Sequence, residues 1–147
     1  MKNKPILFIL FLSMNFLSCN NSFNSATNSF NNYLNSHFHE NIPNEEHIYL
    51  LISTFKCSGC VENSLKLISG KIYNQSGTNI TILTYDSAVV PESLKKKVEI
   101  LVDNNADYEK TGIEMANILL IKTHHSTITR MLIINLDNSE EIINDNL

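Results

Sequence analysis

The sequence predicts an α/β fold in three layers, a central mixed β-sheet with flanking helices. Two observations predict it. Nearly continuous apolar runs rich in β-branched residues alternate with stretches of helical periodicity. The last two runs are separated by only three residues, a connector short enough to require an antiparallel hairpin. From Pro43 onward the order reads strand, helix, strand, helix, strand, strand.

Each element has its own reason. His47 to Phe55 (HIYLLISTF) lacks the polar alternation of a half-solvated strand and reads as one covered on both faces. From Cys60 to Tyr73, Val61, Leu65, Ile68 and Ile72 fall on one helical stripe. Asn74 to Asn79 (NQSGTN) is a turn, and Ile80 to Tyr85 (ITILTY) is the second strand. Pro91 suits the first position of a second helix, with Leu94, Val98 and Leu101 on one face. Asn117 to Thr123 (NILLIKT) and Thr127 to Asn135 (TITRMLIIN) form the hairpin around His124, His125 and Ser126. The tail from Ser139 to Asn146 adds a short final helix.

The N-terminus has the character of an address. Lys2 and Lys4 precede an apolar stretch from Pro5 to about Leu12 that fades through Met14, Phe16 and Leu17. A membrane helix needs roughly 20 mostly apolar residues, and Ser13, Asn15 and Ser18 interrupt this one. The layout is that of a secretory signal over residues 1–18. Phe16-Leu17-Ser18-Cys19 resembles a bacterial lipobox, with Phe16 where that pattern prefers Leu. The resemblance implies that Cys19 is lipidated and holds the chain to a membrane of the cell envelope, on the extracytoplasmic side. Each buried acyl methylene contributes about 0.8 kcal/mol to such an anchor. Residues 19–46 follow, Asn- and Ser-rich. They read as a tether or, because Phe23, Phe30, Tyr33, Leu34, His37 and Phe38 recur at near-helical spacing, as a short docked helix. Residues 47–147 are the folded domain.

Composition narrows the function. The 147 residues are 43% hydrophobic and 18% charged, which suits one small domain with accessory segments. Losing Lys2 and Lys4 with the signal takes the formal net charge from -4 to -6. An acidic domain without a basic stripe is a poor nucleic-acid binder, because neutralising phosphates supplies most of that affinity. Lys95-Lys96-Lys97 reads as the solvated face of a helix, and Asp137 to Glu141 as a solvated acidic end. No Gly-rich phosphate loop or catalytic triad order is present, and no cofactor is implied.

The chemistry lies in Cys57-Ser58-Gly59-Cys60, directly after the first strand and at the start of the first helix. Two intervening residues bring the sulfurs within bonding reach while the first stays accessible. A helix N-terminus offers unpaired N–H groups and partial positive charge, both favouring thiolate over thiol, and Lys56 adds a cation nearby. Cys57 is thus the candidate attacking thiol and Cys60 the resolving one, with Gly59 lending backbone freedom. An inert disulfide is the alternative, but so short a loop stabilises little. Metal binding is the other. It needs about four ligands, and six strand residues at about 3.3 Å each put His124 and His125 roughly 20 Å away. His47 stands at the far end of its strand, which leaves only His37 and His39, in the tether region, able to approach.

These features together resemble the thioredoxin-like family over roughly Glu46 to Leu136. The motif's place and the element order match. Lys110-Thr111-Gly112-Ile113-Glu114-Met115-Ala116-Asn117 resembles the family segment in which a Gly-Ile pair precedes a cis-proline and an apolar strand. The resemblance implies a thioredoxin-like three-layer sandwich and makes Ala116 and Asn117 the substrate loop. Two departures stand out: Lys56 replaces the usual Trp, and Asn117 the proline. A cis bond before a non-proline residue costs about 3 kcal/mol, so Ala116-Asn117 is expected to be trans. Two functions remain open. One is an envelope thiol-disulfide oxidoreductase acting on exported thiol- or disulfide-containing proteins. The other is a non-catalytic thioredoxin-like binding module in an envelope assembly, its CxxC vestigial or structural.

Overall fold

The computed structural model describes residues 20–54, 57–73 and 79–147, and residues 20–22 by backbone alone. The signal over 1–18, Cys19, Phe55, Lys56 and most of the Asn74 to Asn79 turn lie outside the described residues. Helix α1 is Asn20–Phe38, followed by β1 His47–Ile52, α2 Ser58–Ile72 and β2 Ile80–Thr84. A 3-10 turn (Ser87–Val89) and the one-turn helix α3 (Glu92–Lys95) lead to β3 Glu99–Val102. A second 3-10 turn (Asp107–Lys110) leads to β4 Ile118–His124, β5 Thr127–Ile134 and the final α4 Ser139–Asn146.

The five strands form one mixed sheet in the order β3-β2-β1-β4-β5. β1 is central, parallel to β2 and antiparallel to β4. β2 pairs parallel with β3, and β4 antiparallel with β5. Continuous apolar runs are what a sheet covered on both faces demands, and the side-chain period of two sends alternate residues to opposite cores. Leu50 and Ile52 face the core under α2, α3 and α4, with Val61, Leu65, Ile68, Leu94 and Ile143. Tyr49 and Leu51 face the other, with Phe30, Tyr33 and Leu34 of α1 and Tyr108. The α/β class, the mixed sheet and helices on both faces are therefore as the sequence predicts.

The hairpin turn is His125-Ser126, with φ of 50° and 57°. Two consecutive left-handed residues are the type I′ pattern, whose twist matches that of the flanking strands.

One expected element is different. The stripe Leu94, Val98 and Leu101 suggests a single helix from Pro91, yet the helix lasts one turn and Glu99–Val102 is a strand. Glu99-Ile100-Leu101-Val102 carries three apolar residues in a row, and pairing with Thr81 to Thr84 lets Ile100 and Leu101 pack on opposite faces of the sheet. A helix there would serve one face and leave the β2 edge unpaired.

The segment read as tether or docked helix is helical over Asn20–Phe38 and packed on the sheet. Asn and Ser are weak helix formers, so burial supplies the stability: Phe30 and Leu34 are fully buried. Polar links fix the register. Tyr33 Oη donates to Asp103 at 3.0 Å, Thr27 Oγ1 accepts the Ile128 N–H at 3.0 Å, and Asn31 Oδ1 accepts the Ile42 N–H at 2.8 Å. No helix among the described residues is long and apolar enough to cross a membrane.

Candidate functional site

Cys57 is the N-cap of α2, with φ -73° and ψ 107°, the extended conformation a cap residue adopts. A Ser or Asp cap would aim its oxygen at the N–H groups two and three residues on; Cys57 puts a sulfur in that place. Those groups belong to Gly59 and Cys60. No acidic residue occupies the first turn to compete for them. Both thiols are free, Cys57 exposed and Cys60 half-buried.

The electrostatics separate the pair. The Cys60 thiol donates to the Cys57 sulfur, and this bond, with the backbone N–H groups of Cys60 and Gly59, holds the Cys57 thiol below the ordinary cysteine range. The sulfur makes no full cap hydrogen bond, so the backbone contribution acts through proximity of the dipoles. Cys60 is pushed the other way, first by that same bond, then by burial and the charges of Cys57 and Asp137. The arrangement thus favours ionisation of the Cys57 thiol over that of Cys60.

Three further elements converge on the pair. Asn117, just before β4, accepts the Cys57 N–H on Oδ1 at 2.9 Å, and its backbone carbonyl accepts the Ser53 N–H at 3.2 Å. Its Nδ2 donates to Asn135 Oδ1 at 3.4 Å, reaching the end of β5. The described peptide bonds are all trans, Ala116-Asn117 included. Glu109, in the 3-10 turn, accepts from Ser53 Oγ at 2.9 Å, from the Thr54 N–H at 2.6 Å and from Thr54 Oγ1 at 2.8 Å. Beside it Tyr108, fully buried, donates its phenol to the Ile52 carbonyl at 2.6 Å. The chain leaving β1 toward the motif is thereby held from two sides.

Two open grooves flank α2, and Ser58 of the motif lines the smaller of them. One, of about 340 Å³, runs between Ser58, Val61 and Glu62 and the segment Ala88, Val89 and Pro91. The other, of about 690 Å³, lies between α2 and α4 and includes Asn63, Leu67, Leu136 and Asp137. Leu136, in the second groove, is 57% exposed.

Cys57 caps α2, Cys60 stands in its first turn, and Asn117, which follows Ala116, is brought onto the motif. The side-chain bond from Asn117 to Cys57, and the parts of Tyr108, Glu109, Asn135 and Asp137, carry no sequence signal, because each contact spans turns or strands distant in the chain. Gly59 differs from expectation: its φ is not in the left-handed region and an added Cβ would meet nothing within 4 Å, so the backbone does not require glycine there.

The histidines keep away from the thiols. His124 ends β4 opposite its Asn117 end, and His47 pairs with Thr123 at that same far edge. The ligand atoms of His37, Asp103 and Asp107 lie within 4.8 Å of one another, but they are spent on internal bonds. His37 Nε2 pairs with Asp107 at 3.2 Å, Asp107 also holds Lys110, and Asp103 accepts from Tyr33 and from the N–H groups of Asn105 and Asp107. The group ties α1 to the loop after β3. The chain matches no family model, no curated protein and no solved structure.

Proposed function

We propose that the chain is a membrane-anchored, extracytoplasmic thioredoxin-like lipoprotein that exchanges thiols and disulfides with exported proteins through Cys57 and Cys60. The observation that carries this reading is the cap position of Cys57: an exposed sulfur over the first N–H groups of a helix, with a second thiol donating to it. The strand order, with the motif following the central β1 and Asn117 leading into the β4-β5 hairpin, supports the thioredoxin-like architecture.

The reaction balances as follows. The Cys57 thiolate attacks a partner disulfide, forming a mixed disulfide and releasing one partner sulfur as thiolate. Cys60 loses its proton and attacks the Cys57 sulfur, expelling the second partner thiol. The Cys57–Cys60 disulfide holds the oxidising equivalents and the partner leaves with two electrons more; run backwards, the same steps oxidise a dithiol.

Trapping tests this. Cys60→Ser keeps the attacking sulfur and removes the resolving one, so mixed disulfides with envelope proteins should accumulate. Cys57→Ser should accumulate none. The wild type should reduce insulin with dithiothreitol as electron donor. No trap with Cys60→Ser, together with no turnover, would favour the second reading, a non-catalytic binding module. The observation that favours the module is that an asparagine joined by a trans peptide bond, and not a proline, stands at position 117, where the resembling family keeps its cis-proline.

A further inference from the structure

We infer that Asn117 is the positioning residue for Cys57: its amide oxygen, by accepting the Cys57 N–H, holds the backbone of the helix cap and so the point from which the sulfur projects at the start of α2. The inference rests on the exchange reading above and adds to it a residue whose side chain does the aiming.

The geometry leaves little freedom. A backbone N–H can only donate, so the Asn117 atom 2.9 Å from it must be Oδ1. That assignment turns Nδ2 toward Asn135 Oδ1, 3.4 Å away. The amide is therefore held at both ends, and the Asn117 backbone is held by Ser53. Four segments meet in this residue: the chain leaving β1, the α2 cap, the start of β4 and the end of β5.

The N-cap N–H is one of the donors a helix start leaves unpaired. In a capping box a Glu or Gln three residues into the helix takes it. Here that position is Cys60, which has no such acceptor, and Asn117 supplies one from 60 residues away. The consequence is chemical. With its own N–H occupied, the Cys57 backbone is held in the extended cap conformation, and this sets the Cα–Cβ direction from which the sulfur projects beside the first turn of α2. The position taken by a proline in the resembling family is thus given to a side chain that acts on the nucleophile's backbone.

Two measurements on the full-length chain test this. Amide hydrogen exchange should show the Cys57 N–H protected although its residue is exposed, by at least about tenfold over an unstructured amide. Asn117→Ala should abolish that protection, move the pH midpoint of Cys57 alkylation upward, and slow alkylation at pH 7 about fivefold, read by fragment-resolved mass spectrometry. Asn117→Asp keeps an acceptor and should keep the protection, while its charge slows alkylation. A depressed wild-type midpoint that Asn117→Ala leaves unmoved overturns the positioning role and leaves the exchange reading standing. A wild-type midpoint at the free-thiol value overturns both. Should Asn117→Ala fail to fold, the wild-type amide decides: an unprotected Cys57 N–H overturns the inference.

Discussion

Glu109 and Gly59 bracket what single residues contribute near the motif. Glu109 receives three hydrogen bonds from Ser53 and Thr54. Replacing it by Ala strands those donors, each loss costing about 1 kcal/mol when partly compensated by water. Glu109→Ala should therefore lower the urea midpoint by an amount equivalent to about 1–3 kcal/mol; an unchanged midpoint would show that Tyr108 and Asn117 hold the chain leaving β1 without it. Gly59 is the opposite case, in the first turn of α2 with ordinary φ and open space around it. Gly59→Ala should raise stability by roughly 0.5–1 kcal/mol, through helix propensity and a more restricted unfolded chain. Thermal melting checks it, and a fall would mean the turn needs glycine for a reason outside its geometry. Gly112, with φ of 79°, is the glycine whose backbone does demand the residue type.

At the scale of elements, α1 carries the clearest prediction. Phe30, Tyr33 and Leu34 of α1 are built into the core on one face of the sheet, and an Asn- and Ser-rich helix has little stability of its own. Phe30→Ala and Leu34→Ala should each cost about 2–5 kcal/mol, as fully buried large-to-small changes do. Far-ultraviolet circular dichroism during urea unfolding should show α1 lost with the sheet in one transition. Separate loss of α1 before the sheet would indicate a helix that rests on the fold without completing it. Its legibility was partial: the aromatic spacing pointed to a helix, the composition to a tether, and only the sheet face waiting to be covered decides between them. β3 is the converse. Its periodicity fitted a helix through Leu94, Val98 and Leu101 and a strand through Glu99 to Val102, and the unpaired edge of β2 selected the strand.

For the whole molecule, the buried phenols set an alkaline limit. Tyr33, Tyr49 and Tyr108 are all held above the ordinary tyrosine range, in each case chiefly by burial, reinforced by Asp103, Glu40 and Glu109 respectively. In the unfolded chain these groups ionise near pH 10, as free tyrosine does, while the native state keeps their protons. Their stabilising effect is therefore complete below about pH 10 and lost as pH rises beyond it, since the unfolded state then binds fewer protons. Urea midpoints between pH 8 and pH 11.5 should fall steeply at the upper end, and Tyr33→Phe should flatten part of that fall. A profile flat to pH 11.5 would mean the phenols reach solvent in the native state.

The amino-acid sequence by itself determined the α/β class, the central strand followed by the Cys57 to Cys60 motif on a helix start, and the hairpin around His124, His125 and Ser126. These depend on local periodicity and on which residues follow one another. Tertiary structure decided the rest. The role of Asn117, the grip of Glu109 and Tyr108 on the end of β1, the packing of α1 and the strand state of Glu99–Val102 each depend on partners tens of residues away. A hydrogen bond or a buried face has no local signature when its other half is brought up by the fold.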